Sequence, residues 1–260
     1  MKFHDKVVLV SGGGTGIGRA VALGFAREGA RVVVTGRNRE TLDQTVKLAQ
    51  AQVGDQSGDG DGDGRVVALV ADVCDSASVA GLIGEIVERY GRLDIAINNA
   101  GVLATGKVAD QAEEDFARVI DTNLTGVFLA MKHEIPAMVA GGGGVIVNFG
   151  SQLGTHKRLP GFGAYAASKA GVTALTRTAA LEYIGQGVRI NTLSPGSHDT
   201  PMSMRPGETE ADRADRMRNQ VPIGRVGSLD EITGTVLWLA SEDAGYVVGA
   251  DIVADGGSTA

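Results

Sequence analysis

At 260 residues, with 43% hydrophobic and 21% charged side chains, the chain has the size and balance of one large α/β unit. A formal charge of −7 argues against a nucleic-acid footprint, and no apolar run reaches the length of a membrane span. Cys74 is the only cysteine, so no intrachain disulfide forms, and four apolar residues near the N-terminus are too few for a signal peptide; a cytoplasmic, reducing compartment is expected.

Val7 to Val10 reads as a strand buried on both faces. It breaks into the turn Gly12, Gly13, Gly14, Thr15, Gly16, Ile17, Gly18, and an amphipathic helix follows with Val21 and Phe25 on the face of Ile17. Strand, glycine turn and helix present backbone N–H groups and a positive helix end to a phosphate, and glycine lets the pyrophosphate approach. The spacing is G-x-x-x-G-x-G, not G-x-G-x-x-G, and no Lys-Ser/Thr follows as in a nucleoside triphosphate loop. By itself such a turn can also be a βα connection that binds nothing.

Further strands are predicted at Arg31–Thr35, Val66–Ala71, Leu93–Ile97, Val145–Phe149, Val188–Leu193 and Val247–Val253. Between them, Asn38 is placed to cap a helix running towards Gln52. Ser76 opens another with Val79, Leu82, Ile83, Ile86, Val87 and Tyr90 on one stripe. A helix from about Ala164 to Tyr183 precedes the sixth strand, and Ser228 with Glu231 makes a capping box ahead of one containing Leu237 and Trp238. This alternation predicts a doubly wound, Rossmann-like parallel sheet of about seven strands with helices on both faces. The acidic insert GDQSGDGDGDG, Gly54 to Gly64, opens like an EF-hand calcium loop but puts Val70 where a bidentate Glu is required, so a solvated loop is expected and no metal site.

Tyr165 and Lys169 stand four apart at a helix start, on one face. An ammonium beside a phenol favours phenolate and lowers the phenol pKa from about 10 towards useful acid–base range. Isolated, the pair would be a helix-end tyrosine beside a solvated lysine. Here Ser151 follows the fifth strand and Asn98-Asn99-Ala100-Gly101 the fourth, at the edge where open α/β sheets build their sites.

With these motifs in order, joined by Asp72-Val73, Asn123 in DTNLTG, PGSHDT (Pro195 to Thr200) and the terminal DGG, the chain resembles the classical short-chain dehydrogenase/reductase family from about Lys6 to Gly257. The resemblance implies Tyr165 as general acid/base and Lys169 as the group that lowers its pKa and bonds the nicotinamide ribose. Ser151 would hold the carbonyl oxygen, and Asn123 would sit in a distorted helix supporting a proton relay to Lys169. Gly12, Gly14, Thr15, Gly16, Ile17 and Gly18 would cradle the dinucleotide. Asp72 and Val73 would meet adenine, Asn99, Ala100 and Gly101 its ribose, and Pro195, Gly196 and Thr200 the nicotinamide amide. Three departures stand out: Ser11 for the family's usual threonine, Gly150 where a second serine is common, and one extra residue between Ser151 and Tyr165, placed in the loop Thr155 to Leu159.

The second strand ends Thr35-Gly36-Arg37-Asn38, without the carboxylate that would pair with a ribose 2′-hydroxyl. Arg37 offers a fork suited to phosphate, so NADP(H) is expected over NAD(H). Residues 197–220 occupy the place of a substrate lid, with Met202, Met204 and Met217 as apolar contacts. The charged residues from Arg205 to Arg218, and the cluster His156, Lys157 and Arg158, are expected to be solvated, and His198 to be a lid residue. Small residues along the Tyr165 helix, with the family's habits, suggest a homotetramer. The expected activity is carbonyl reduction by NADPH on a small-molecule substrate. The rivals are oxidation of a sugar, polyol or steroid, and a nucleotide-binding sensor that has lost chemistry.

Overall fold

A computed structural model describes residues 1–53 and 65–260. The acidic insert 54–64 lies outside the described residues. Among the described residues, seven parallel strands form one sheet in the order β3-β2-β1-β4-β5-β6-β7. They span β1 Val7–Ser11, β2 Arg31–Gly36, β3 Val66–Val70, β4 Ile95–Asn98, β5 Gly144–Phe149, β6 Val188–Pro195 and β7 Asp251–Ala254. Because β1 is buried throughout, its alternate side chains serve two cores. Val8 and Val10 join the layer with α1 (Gly16–Arg27) and α2 (Arg39–Val53), while Val7 and Leu9 join the opposite one with α3 (Ser76–Tyr90).

The α4 helix (Glu113–Ile120) runs through a five-residue π-helical segment, Asp121–Thr125, into α5 (Gly126–Ala140). The long α6 (Gly163–Tyr183) joins α3 and α5 on one face of the sheet, and α8 (Leu229–Ala240) packs beside α1 on the other. Between β6 and α8 stands α7 (Glu210–Gln220). Local caps follow the sequence signals: Asn38 Oδ1 accepts the Thr41 N–H at 3.2 Å, and Ser228 and Glu231 close the expected capping box. At α3 the cap is Asp75, whose carboxylate accepts from Ala77 and Ser78, and Val87 falls outside the buried stripe.

Two strands start later than the apolar runs suggest. Leu93 and Asp94 are buried ahead of β4, with Asp94 Oδ2 accepting the Val7 N–H at 2.9 Å. The closing strand starts at Asp251 instead of Val247, because the side chain of Asn191 takes over the backbone there. Its Nδ2 donates to Val247 O at 2.7 Å and its Oδ1 accepts from Ala250 N at 2.9 Å. Gly249, at φ +65°, turns the chain out of extended geometry between them.

Strand order reverses between β1 and β4, so helices leave the sheet on opposite faces there and a crevice opens at the carboxyl ends. In register, Ser11 stands beside Asn98, Asn98 beside Asn148, and Phe149 beside Leu193. The residues that follow each of these positions meet above that edge.

Candidate active site

The glycine turn is closed by contacts that leave no room for a side chain. A Cβ at Gly18 would lie 2.3 Å from Gly12 O, and one at Gly14 would lie 2.5 Å from Thr41 Oγ1. Gly12 has φ +66° and Gly16 φ +51°, and a Cβ at Gly16 would come within 3.3 Å of Thr200 Cγ2, so the 197–220 segment reaches the turn. The α1 N-cap, Thr15, makes no side-chain capping bond, which leaves the first N–H groups of the helix to a ligand. These features fit a dinucleotide pyrophosphate. Ser11 keeps the role of a hydroxyl here: its Oγ accepts from Asn99 N at 3.1 Å and Ala100 N at 3.2 Å, tying the β4 loop to the end of β1. Asp72 Oδ1 accepts the Cys74 N–H at 3.0 Å, and Val73 packs where a Cβ on Gly126 would meet it at 3.1 Å.

At the end of β2, Gly36 has open space, with Leu42 Cδ2 the nearest atom to a built Cβ at 3.8 Å. Arg37 is exposed, and among the described residues no hydrogen bond or ion pair engages its guanidinium. Arg19, the other cation near the turn, is already engaged: Nε donates to Thr45 Oγ1 at 3.1 Å, and Nη2 to the carbonyl oxygen of Gly14.

Ser151, Tyr165, Lys169 and Asn123 come from four places in the chain. Lys169 is buried and donates to Phe149 O at 2.7 Å, holding α6 to the end of β5 two residues before Ser151. Its Nζ lies 5.8 Å from the centre of the Tyr165 ring. Asn123, fully buried in the π-helical segment, accepts from Val102 N at 2.8 Å and donates to Val102 O at 2.9 Å and Ser168 Oγ at 3.1 Å. A Cβ on Gly101 would lie 3.3 Å from Asn123 Oδ1 and 3.6 Å from Lys169 Nζ, so these groups face one small space at that glycine. The widened helix fits there because Gly171 on α6 leaves room for Leu124; a Cβ at Gly171 would meet its Cδ2 at 2.9 Å.

Burial raises the Tyr165 phenol above its ordinary value, and the Ser151 hydroxyl pulls the other way. This corrects the expectation of a phenol made acidic by its lysine. The physical reason is that desolvation of the phenol itself is the largest influence on it, while burial also pushes Lys169 down to about 8.

A second polar cluster underlies the site without a signal strong enough to pick it out of the sequence. Asn98 Nδ2 donates to Glu134 Oε2 at 3.0 Å and to Asn148 Oδ1 at 2.9 Å, and Asn148 Nδ2 donates to Thr176 Oγ1 at 2.9 Å. Glu134 is fully buried, and its other oxygen has no hydrogen-bond partner among the described residues. Burial pushes its carboxyl up to about 7, the Asn98 bond opposing. A lone Glu in the apolar run of α5 was the only hint.

The charged residues of 205–218 are not simply solvated. Arg213 is buried and donates to Asp199 Oδ1 at 2.7 Å and Ser203 Oγ at 3.0 Å. Arg216 grips Glu208 through Nε at 2.6 Å and Nη2 at 2.7 Å, which holds that carboxyl down at about 2. Both arginines answer groups within residues 197–220, an arrangement that only folding brings together. Met217 is buried, Met204 half-buried and Met202 exposed. His198 is buried with Nδ1 3.2 Å from Gly196 O, and Gly196 passes so close to Asp255 that a Cβ would lie 2.7 Å from its Cα. His156 is exposed, as expected, and its ring also pairs with Asp251 at 2.8 Å.

An α/β sheet with a glycine cradle at its switch point and a Ser–Tyr–Lys–Asn cluster beside it defines a nicotinamide-dependent oxidoreductase of alcohols and ketones. Known proteins agree. The enoyl-(acyl carrier protein) reductase family profile matches residues 12–259. The chain is 37% identical over 257 residues to 3-oxoacyl-(acyl-carrier-protein) reductase of Thermotoga maritima, covering 99% of each. It is also 37% identical to cyclohexanol dehydrogenase of an Acinetobacter species, covering 99% of this chain and 96% of that one. The crystal structure of levodione reductase matches with a TM-score of 0.89 at 35% identity, over 99% of this chain and 98% of that one. The chain belongs to the short-chain dehydrogenase/reductase family. No described helix is long and apolar enough to cross a membrane.

Proposed function

We propose that the chain is an NADP(H)-dependent carbonyl reductase, reversible as a secondary-alcohol dehydrogenase, with Tyr165 as general acid/base. The observation that carries this reading is the cluster of Lys169, Asn123 and Gly101 beside Tyr165 and Ser151, directly above the strand ends. A bound reduced nicotinamide would supply the hydride. Tyr165 would give its proton to the carbonyl oxygen, and the upward push of burial keeps the phenol protonated at neutral pH, as a reductase requires. Ser151 would hold the same oxygen, Lys169 the nicotinamide ribose, and Asn123 a relay towards Lys169. Gly12, Gly14, Thr15, Gly16, Ile17 and Gly18 would hold the pyrophosphate. Asp72, Val73, Asn99, Ala100 and Gly101 would hold the adenosine, and Pro195, Gly196 and Thr200 the nicotinamide amide.

Two observations favour NADP(H) over NAD(H): the exposed Arg37 and the missing carboxylate at Gly36. We read residues 1–260 as one catalytic unit in which 197–220 forms the substrate lid. Exposed Ala167, Ala174 and Leu181 on α6, with Phe128 on α5, support a homotetramer, and we read the protein as cytoplasmic from its single cysteine. The likeness to cyclohexanol dehydrogenase favours alcohol oxidation as the second reading.

The test is nucleotide turnover with ketones, keto esters and 3-oxoacyl thioesters in one direction, and cyclic alcohols and polyols in the other. Reduction with NADPH as the more efficient cofactor is expected. Tyr165→Phe should lower kcat by about 10²–10⁴-fold with nucleotide affinity held within about twofold. Equal turnover by Tyr165→Phe would overturn the assignment, and nucleotide binding without any turnover would leave a sensor.

A further inference from the structure

The loop between Ser151 and Tyr165 carries His156. That histidine reaches across to the first residue of β7, where Asp251 has a side chain only 1% exposed. Among the described residues, Asp251 has three side-chain partners, from β6, α6 and the loop after Ser151. Ser194 Oγ on β6 donates to Oδ1 at 2.6 Å, Thr173 Oγ1 on α6 donates to Oδ2 at 3.2 Å, and His156 Nε2 lies 2.8 Å from Oδ2. A buried carboxylate is stable only when such donors surround it, so each partner is held as firmly as it holds.

Two routes lead from this carboxylate to Ser151. Below the serine, Ser194 Oγ occupies the space that a Cβ on Gly150 would enter, at 2.6 Å, which explains why glycine stands there. On its other side, Leu153 N donates to Ser151 Oγ at 3.1 Å from a compact turn closed by Lys157 N to Gln152 O at 2.8 Å and Gly154 N to Lys157 O at 3.1 Å. His156 sits within that turn. Thr173 lies one helical turn beyond Lys169, so the same carboxylate also fixes α6.

We propose that His156, through Asp251, is a positioning residue that seats the 152–157 turn and thereby aims the Ser151 hydroxyl at the substrate oxygen. The inference rests on the catalytic reading above. It gives the loop an anchor: an imidazole N–H facing the Asp251 carboxylate ties it to β7. A glutamine amide extends its nitrogen as far as an imidazole Nε2 does, so it can replace the donor without the ring.

The experiment uses the full chain with His156→Ala and His156→Gln, a site exposed enough to spare the fold. Hydrogen exchange of amides 152–157 should quicken tenfold or more in His156→Ala, with β6 and β7 unchanged, and return to within threefold of the parent in His156→Gln. The Kd for NADPH should stay within twofold. With whichever carbonyl substrate turns over, KM should rise fivefold or more in His156→Ala and recover in His156→Gln. Unchanged exchange in the turn, exchange that quickens equally across β6 and β7, or failure of His156→Gln to recover overturns the proposal. So does an unaltered KM. If the parent turns over no carbonyl substrate, the catalytic reading falls, and the proposed aim of Ser151 falls with it; the exchange result still judges the anchoring of the turn separately.

Discussion

The two sides of the sheet edge are held by different physics. On the β1–β4 side the chain closes on itself through absent side chains: Gly12, Gly14 and Gly18 lie against backbone or neighbouring side chains closely enough that a Cβ would collide. Beyond β5 the loops are held by pairs of charged or polar side chains, His156 with Asp251, Arg213 with Asp199 and Arg216 with Glu208. The first arrangement fixes one shape for one ligand class, since steric exclusion leaves no alternative. The second can be rewired by exchanging a pair of residues, which suits the side proposed to select a substrate.

The sharpest way to break that comparison is Gly18→Ala. A methyl 2.3 Å from a backbone oxygen forces the turn apart, because the atom it meets is not the end of a flexible chain. The expected cost is about 3 kcal/mol, at the upper end for overpacking, and so roughly 6–12 °C of Tm for a chain of this size. Nucleotide affinity should fall by about 100-fold as well. A thermal melt and a titration check it; an unshifted melt would mean the cradle is loose.

Glu134→Gln probes the layer beneath both sides. The carboxyl is pushed up to about 7 in the fold, whereas in the unfolded chain it titrates near 4.3. The folded state therefore binds the extra proton between these values, and stability falls as pH rises through that window. Below about pH 4.3 the contribution is fully present; above about 7 it is lost, on the order of 3 kcal/mol. The glutamine variant should lack this decline, so urea melts from pH 5 to 8 should show parent and variant diverging. Parallel curves would remove Glu134 from the account.

Gly36→Asp has the smallest expected effect and refines the contrast within the β1–β4 side. Here a glycine has room, with Leu42 3.8 Å from a built Cβ, so the fold should tolerate the change. A carboxylate there repels a 2′-phosphate and pairs with a 2′-hydroxyl. The ratio of kcat/KM for NADPH to that for NADH should drop by about tenfold or more, equal to ~1.4 kcal/mol. A ratio that does not move would sever Arg37 and Gly36 from cofactor choice.

Much of the fold was legible because its signals are local. Four consecutive buried residues at Val7, a Ser-x-x-Glu box at Ser228 and an Asn before α2 each work within one turn of chain. The closing strand was misplaced because the competitor for its backbone, the Asn191 side chain, comes from 56 residues earlier in the chain. The Tyr165–Lys169 pair was visible from spacing, but the direction of the phenol's shift was not, since burial depends on everything packed around it.

By itself, then, the sequence determined the order of strands and helices, the glycine turn and the identity of the four polar residues that gather beside it, because period and residue type act over a few positions. Which charges pair, which carboxyl loses its water and which loop is anchored were decided only by the tertiary structure. Those outcomes depend on distances between residues far apart along the chain, such as His156 and Asp251, and on how much solvent the fold removes from each.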